Sequence, residues 1–225
     1  MAGRDVETAL ADSFLGTLGP RLAHELLEDG RVSEYSAGTT IYRQGEAPRT
    51  LLVVSGLLRV YMSSPDGRQV TVRYARRADV LGIALLVGGP ADVGLQTVAR
   101  STVYRLDTAR LATRAHSEAS VAWAFAEELN RRLYENLQQT AVNAFGSVRQ
   151  RVALHLLDLA SAGQEPGGVL EAQVSQQELA EAVGSVREVV ARVLRDLRSV
   201  GLIATVPGVV RVLDPAGLHD QTWSA

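Results

Sequence analysis

Arginine and glutamate stand side by side at Arg187 and Glu188, and Arg192 and Arg195 follow at the spacing of further helical turns. A guanidinium can bond guanine O6 and N7 together, and a carboxylate can accept from cytosine N4. Each such pairing is worth ~1–3 kcal/mol of discrimination between bases. The chemistry requires a helix that holds these side chains on one face. Val186, Val189, Val190, Val193, Leu194 and Leu197 recur at i, i+3, i+4, i+7, i+8 and i+11 and supply the opposite, apolar face. The small Ala191 lies among the charged residues and leaves the helix room to approach base edges.

The elements that position this helix are also spelled out locally. A short helix is predicted to open at Ser175 with Glu178 three residues on, and the charged helix at Ser185 with Glu188 three residues on. Each pair has the form of a capping box, in which serine and glutamate satisfy orphan amides at a helix start. Gly184 lies between the two, where a chain can turn sharply at low steric cost. Gly201 is placed as the residue that ends the second helix. Leu202 to Val206 and Val209 to Leu213 are β-branched runs joined by Pro207-Gly208, which reads as a two-stranded wing with Arg211 near phosphates. The expected unit is a winged helix-turn-helix, with Ser175, Gln176, Gln177, Ser185, Arg187, Glu188, Arg192 and Arg195 as its DNA-contacting set.

Composition narrows the alternatives. The chain has 225 residues, 46% of them hydrophobic, enough for two modest cores. It has no cysteine, which excludes structural disulfides, thiolate metal sites and cysteine-held iron–sulfur clusters. No run approaches ~18 apolar residues, so no membrane span is expected and the protein is read as soluble and cytoplasmic. Net charge is −2, and residues 147–225 hold seven arginines against nine acidic groups, so any attraction for DNA is local to one helix. His24, His116, His155 and His219 are scattered, and their spacing forms no metal site. No paired carboxylates, nucleophile–histidine pair or phosphate loop survives inspection, and Gly82 with Gly88-Gly89 makes no dinucleotide fingerprint. No enzyme, metal or cofactor is expected.

Residues 1–34 read as mainly helical, with Phe14, Leu15, Leu18, Leu22, Leu26 and Leu27 as their apolar stripe. From Tyr35 to about Asp107 the period shortens to β-runs at Ile41-Tyr42, Leu51 to Val54, Leu57 to Tyr61, Val70 to Tyr74 and Val98 to Leu106, with a hairpin turn at Pro65-Asp66-Gly67. Many short strands with regular turns mean a sandwich or barrel. From about Glu118 to Ala144 runs a long helix with Val121, Phe125, Leu129, Leu133 and Leu137 at four-residue spacing, broadened by Ala122, Ala126 and Ala141. It is too long for one small barrel to cover, so part of it is expected to pack on a second copy. Gly146-Ser147 interrupts it as a hinge, Ser147 and Gln150 form a further capping box, and a helix from Val148 to Ala160 follows.

Barrel, long helix, hinge and winged helix in this order resemble the Crp/Fnr superfamily of cyclic-AMP receptor and fumarate-nitrate reduction regulators. The block Ser175-Gln176-Gln177-Glu178-Leu179-Ala180, followed by Val183-Gly184-Ser185-Val186-Arg187-Glu188 and Arg192, carries the resemblance most specifically. Turns at Gly38-Thr39, Gly45-Glu46, Ser55-Gly56, Asp66-Gly67 and Asp79 through Gly82 are similar as well. The resemblance implies an α+β chain. A cyclic-nucleotide-binding-like jelly-roll barrel would span residues 1–116, a dimerisation helix and hinge 117–146, and a winged helix-turn-helix 147–225. It also implies a homodimer on palindromic double-stranded DNA and contact with RNA polymerase.

Family members that bind cyclic AMP carry a glutamate after the glycine matching Gly82 and an arginine about ten residues later. This chain has Ile83 at the first position and Ala91-Asp92-Val93-Gly94 around the second, with no arginine between Arg77 and Arg100. Cyclic AMP is therefore not expected in the family's usual mode. The expected pocket consists of Leu81, Gly82, Ile83 and Val93, with Leu133, Asn136 and Leu137 from the long helix. That set fits a smaller or more apolar effector, or equally a filled core. Asn136 either meets the effector or sets dimer register. The alternative to a ligand-controlled regulator is a ligand-independent or architectural DNA-binding protein with a degenerate sensor barrel.

Overall fold

The computed structural model describes all residues except 1, 28–29, 47–48, 66–68, 85, 87–92, 163–167 and 223–225, and describes residues 2, 20, 23, 24, 70, 138, 139, 143, 144 and 162 by backbone alone. The turn at Asp66-Gly67, Gly88-Gly89, Ala91 and Asp92 lie outside the described residues. The chain divides into two compact units, 1–135 and 136–225.

The N-terminal stripe is interrupted. Ala2–Asp12 (α1) is followed by a 3-10 turn, Phe14–Leu18, and by Pro20–Leu26 (α2). Ser13 accounts for the break: its hydroxyl accepts from the Leu15 amide at 3.2 Å and so caps a new turn. Residues 31–34, expected in the helical segment, instead belong to strand β1 (Arg31–Tyr35). Pairing with a distant strand overrides local preference there.

Strands β2 (Thr40–Tyr42), β3 (Leu51–Ser55), β4 (Leu58–Ser63), β5 (Gln69–Ala75), β6 (Val80–Leu81), β7 (Gly94–Thr97) and β8 (Ser101–Arg105) complete a jelly roll. They form two open four-stranded sheets, β1-β8-β3-β6 and β2-β7-β4-β5, every pair antiparallel. The run Val98 to Leu106 is thus not one strand. Its residues follow β7 of one sheet and form β8 of the other, and the Val98 and Ala99 amides donate to the Leu57 carbonyl where the chain crosses over. Between the sheets lie Tyr42, Val53, Leu58, Val60, Leu95 and Val103. A second core forms where Leu52, Val54 and Tyr104 meet the helices through Leu10, Leu15, Leu26, Leu111 and Phe125.

Thr108–Ser117 (α3) and Ala119–Phe145 (α4) follow the sandwich. Val121 and Phe125 of α4 are buried in the helical layer, and Phe125 meets Phe14 edge-on with ring centroids 5.4 Å apart. Leu133 and Leu137 are more than half exposed. The expected four-residue seam therefore divides, because each step of four residues turns the row by about 40° on a 3.6-residue helix.

Val148–Ala162 (α5) begins with the expected capping box. The Gln150 amide donates to Ser147 Oγ at 3.2 Å, and the Ser147 amide donates to Gln150 Oε1 at 2.8 Å. Strand β9 (Glu171–Gln173), helices α6 (Gln176–Ala182) and α7 (Arg187–Ser199), strands β10 (Ile203–Val206) and β11 (Val209–Val212), and α8 (Pro215–Asp220) complete the second unit.

Candidate nucleic-acid interface

Helix α6 starts as its sequence requires. The Glu178 amide donates to Ser175 Oγ at 3.2 Å and the Ser175 amide donates to Glu178 Oε2 at 2.8 Å, closing the capping box. Those bonds hold the Glu178 carboxyl below the usual carboxylate range. At the other end Gly184 adopts φ +60°, its amide reaches the Glu181 carbonyl, and the Ser185 amide reaches the Ala180 carbonyl at 2.9 Å. This is a Schellman closure. It changes the role of Ser185, whose amide completes the turn of α6. The N-cap of α7 is Val186, with no side-chain cap bond, so the expected Ser185–Glu188 capping box does not form.

Helix α7 carries both expected faces. Val190, Val193, Leu194 and Leu197 are buried, while Arg187, Glu188, Arg192 and Arg195 are exposed and Ala191 is half-buried. Val186, at the head of the apolar stripe, is itself 58% exposed. Gly201, at φ +77°, ends the helix, and the Leu202 amide donates to the Leu197 carbonyl at 3.1 Å. Arg151 of α5 braces the turn from behind, donating from Nε to the Val183 carbonyl at 2.9 Å and from Nη1 to the Gly146 carbonyl at 2.6 Å. Sequence reasoning passed over Arg151, because only the packed unit brings α5 to the turn.

The wing has three strands in the order β10-β11-β9, one more than expected. Arg211 does not offer a free cation: its Nε and Nη2 both donate to Glu171 Oε1, at 2.8 and 2.6 Å, across the β11–β9 pair. Arg198 likewise donates to Thr205 Oγ1 at 3.1 Å. In contrast, no carboxylate among the described residues lies within ion-pair reach of Arg187, Arg192 or Arg195. The Val174 amide donates to the Gly208 carbonyl at 3.0 Å, tying the start of α6 to the wing tip. Between them opens a groove of about 540 Å³ lined by Ser175, Gln176, Gln177, Arg187, Thr205 and Pro207, among others. Of the eight residues expected to meet DNA, this geometry brings Ser175, Gln176, Gln177 and Arg187 to one groove.

Residues 150–221 match the Crp-like helix-turn-helix domain family, and residues 32–116 match the cyclic nucleotide-binding domain family. The transcriptional regulator LdrP of Thermus thermophilus is 36% identical over 200 residues, covering 86% of this chain and 98% of that protein. The chain belongs to the Crp/Fnr superfamily of transcription regulators. A cAMP-activated global regulator of Mycobacterium tuberculosis is 27% identical over 152 residues, 65% of this chain and 68% of its own. Among solved structures, a Crp-family transcriptional regulator from Thermus thermophilus is 32% identical, with a TM-score of 0.51 over 86% of this chain and 97% of its own. These relatives are regulators, and this chain is a DNA-binding transcription regulator of the same type, not an enzyme.

Of the seven residues expected to line an effector pocket, Leu81, Gly82, Ile83, Val93 and Leu133 belong to the first unit and Asn136 and Leu137 to the second. Leu81 and Val93 pack in the core between the sheets, whereas Ile83, fully buried, packs in the helical layer. Gly82 separates them at φ +86°, where a Cβ would meet the Arg49 carbonyl oxygen at 2.7 Å. Leu133 and Leu137 are exposed on α4, and the Oδ1 of half-buried Asn136 has no hydrogen-bond partner among the described residues. The first unit instead holds a cluster of charge that sequence reasoning missed. Arg73 lies opposite Val60 in the β4–β5 register, with Nη1 3.7 Å from Asp79 Oδ1, while its buried Nη2 has no hydrogen-bond partner among the described residues. Arg132 of α4 donates to Glu128 Oε1 at 2.8 Å and to the Val80 carbonyl. Arg131 also donates to Glu128, at 2.7 Å, and lies 3.6 Å from Asp79. Burial, with the nearby Arg73 charge adding to it, pushes Arg132 down to about 10. The signal was an arginine in a β-run otherwise rich in valine, at Val70, Val72 and Arg73.

Proposed function

We propose that the chain binds palindromic operators as a homodimer, with Arg187, Glu188 and Arg192 reading base edges in the major groove. Arg195, Ser175, Gln176, Gln177 and Ser185 then position the unit on the sugar-phosphate backbone. One observation carries this reading: Arg187, Arg192 and Arg195 are exposed and unpaired among the described residues, on a helix whose other face is buried. A surface helix that needed charge only for solubility would be free to spend it on neighbouring carboxylates, as Arg211 does on Glu171. Two such helices one DNA turn apart, about 34 Å, reach successive major grooves. Contact with RNA polymerase is part of the same proposal and rests on the family.

Operator selection followed by fluorescence anisotropy tests the reading. Arg187→Ala is expected to cost ~1–3 kcal/mol on the selected operator and to relax preference at one base pair. An equal loss on every sequence would move Arg187 to the phosphate contacts.

Cyclic AMP in the family's usual mode is not part of this reading. Ile83, where the family's binders place an acidic side chain, is apolar and packed in the helical layer, so it offers no acceptor to a ribose hydroxyl. That observation favours the second reading, a ligand-independent regulator with a degenerate sensor. Calorimetric titration with cyclic AMP showing micromolar binding would remove it.

A further inference from the structure

We infer that Val186 is a specificity-determining residue of α7, packing its methyl groups on the C5 methyl of a thymine beside the base pair met by Arg187. The inference rests on the proposal that α7 reads DNA, and it adds an apolar reader to the charged ones.

The first observation is an apolar side chain that the core leaves out. Val186 heads the stripe whose later members Val190, Val193, Leu194 and Leu197 are buried, yet it is itself more than half exposed. A single exposed valine is ordinary on a surface. This one stands at the end of the helix that a helix-turn-helix directs at base edges, immediately before the exposed Arg187 and Glu188.

The second observation is what valine costs at that position. Val186 is the N-cap of α7 and makes no side-chain cap bond. Ser147, Ser175 and Asp214 supply such bonds at the starts of α5, α6 and α8. Valine ranks among the poorest N-cap residues, and serine or threonine would suit the same extended backbone. Val186 therefore gives the fold neither a cap nor a fully buried side chain. A position that forgoes both, where neighbouring helices take the cap, is one where function sets the residue type.

The chemistry that accepts exposed methyl groups in the major groove is narrow. Of the four standard bases only thymine presents a methyl there, and apolar side chains discriminate it by contact. Arg187 and Glu188 do not cover that base, since a guanidinium pairs with guanine and a carboxylate with cytosine. Valine also presents its methyls at little entropic cost, because branching at Cβ restricts χ1. The Val186 carbonyl accepts from the Val189 and Val190 amides at 3.1 and 3.2 Å, which fixes the backbone that carries the side chain.

The test uses the full-length protein and the operator recovered by selection, with affinity read by fluorescence anisotropy. Each thymine is replaced in turn by deoxyuridine, which lacks only the C5 methyl. Replacement at the thymine next to the pair whose preference relaxes in Arg187→Ala is expected to weaken binding about fourfold, the transfer value of one buried methyl-sized group. Val186→Ala is expected to bind the thymine operator more weakly than the parent and to distinguish thymine from deoxyuridine by under about twofold. Val186→Ser, the better cap, is expected to raise Tm and still lose the methyl preference, so impaired folding does not account for the loss. Val186→Thr, which keeps one methyl, is expected to retain part of the preference. The inference is overturned if the selected half-site has no thymine beside the Arg187 pair, or if deoxyuridine there binds as thymine does. It is also overturned if the deoxyuridine effect persists undiminished in Val186→Ala, which would assign the methyl contact to another residue of α7 such as Ala191. In each of these outcomes an operator is still selected and the reading of α7 stands. A chain that selects no operator removes both.

Discussion

Two glycines show how one residue type serves different ends. Gly184 has φ +60° and open space where a Cβ would point, so only backbone conformation requires glycine there. Gly184→Ala is expected to destabilise the second unit by about 1 kcal/mol. Gly82 has φ +86° and the Arg49 carbonyl oxygen 2.7 Å from its ideal Cβ, and a backbone atom cannot swing aside. Gly82→Ala should therefore cost at least about 2 kcal/mol more, and urea denaturation of both variants checks the order. His155 adds a pH dependence. Burial lowers its pKa, opposed only by Asp158, so the folded protein holds it neutral while the unfolded chain protonates near the ordinary value of 6.5. Its stabilising contribution is complete above that pH and is lost as pH falls toward the depressed value. Tm measured between pH 7.5 and 5 should fall less steeply in His155→Gln; an unchanged slope would assign the dependence to other groups.

The helical elements were legible where their signals are local. Ser175 with Glu178, Ser147 with Gln150, and the glycines at 184 and 201 act within a few residues, and the structure places each as its spacing requires. Ser185 is the instructive failure. The pattern at Ser185 and Glu188 matches a capping box, but the preceding helix claims the Ser185 amide first, through the Ala180 carbonyl. Two helices joined by so short a turn compete for the residues between them. The consequence is measurable. Ser175→Ala should cost ~0.5–2 kcal/mol and Ser185→Ala under about 0.5, whereas Val186→Ser should stabilise by about 1 kcal/mol by giving α7 the cap it lacks. Thermal melts that rank Ser185→Ala with Ser175→Ala would show that Ser185 caps α7 after all. Strand boundaries were less legible, since Arg31–Tyr35 and the crossover after Val98 are set by partners far along the chain. The Arg73 cluster was hidden for the same reason: only the β4–β5 register and the packing of α4 bring its members together.

At the scale of the whole molecule, α4 presents one buried and one exposed apolar row. Val121 and Phe125 are committed to the protein's own core, while Ala122 and Ala126 are exposed and Leu133 is 55% exposed. On a 3.6-residue helix these three fall within about 40° of one another, one apolar stripe on the solvent side. Exposed leucines are ordinary singly, but a stripe aligned along a helix is the form of a helix–helix seam. A second copy related by a two-fold axis would bury the same stripe on both chains, consistent with the expected homodimer. In the proposed homodimer, association would also set DNA affinity, because joining two recognition helices makes the second half-site contact intramolecular. Leu133→Asp should shift the protein toward monomer in analytical ultracentrifugation. Its affinity for a full palindrome should fall at least about tenfold, to that for a single half-site. The Asp change lies far in sequence from α7, so half-site affinity itself should be preserved. A variant that sediments as the parent does would clear α4 as the seam, and one that loses half-site binding as well would point to misfolding rather than lost association.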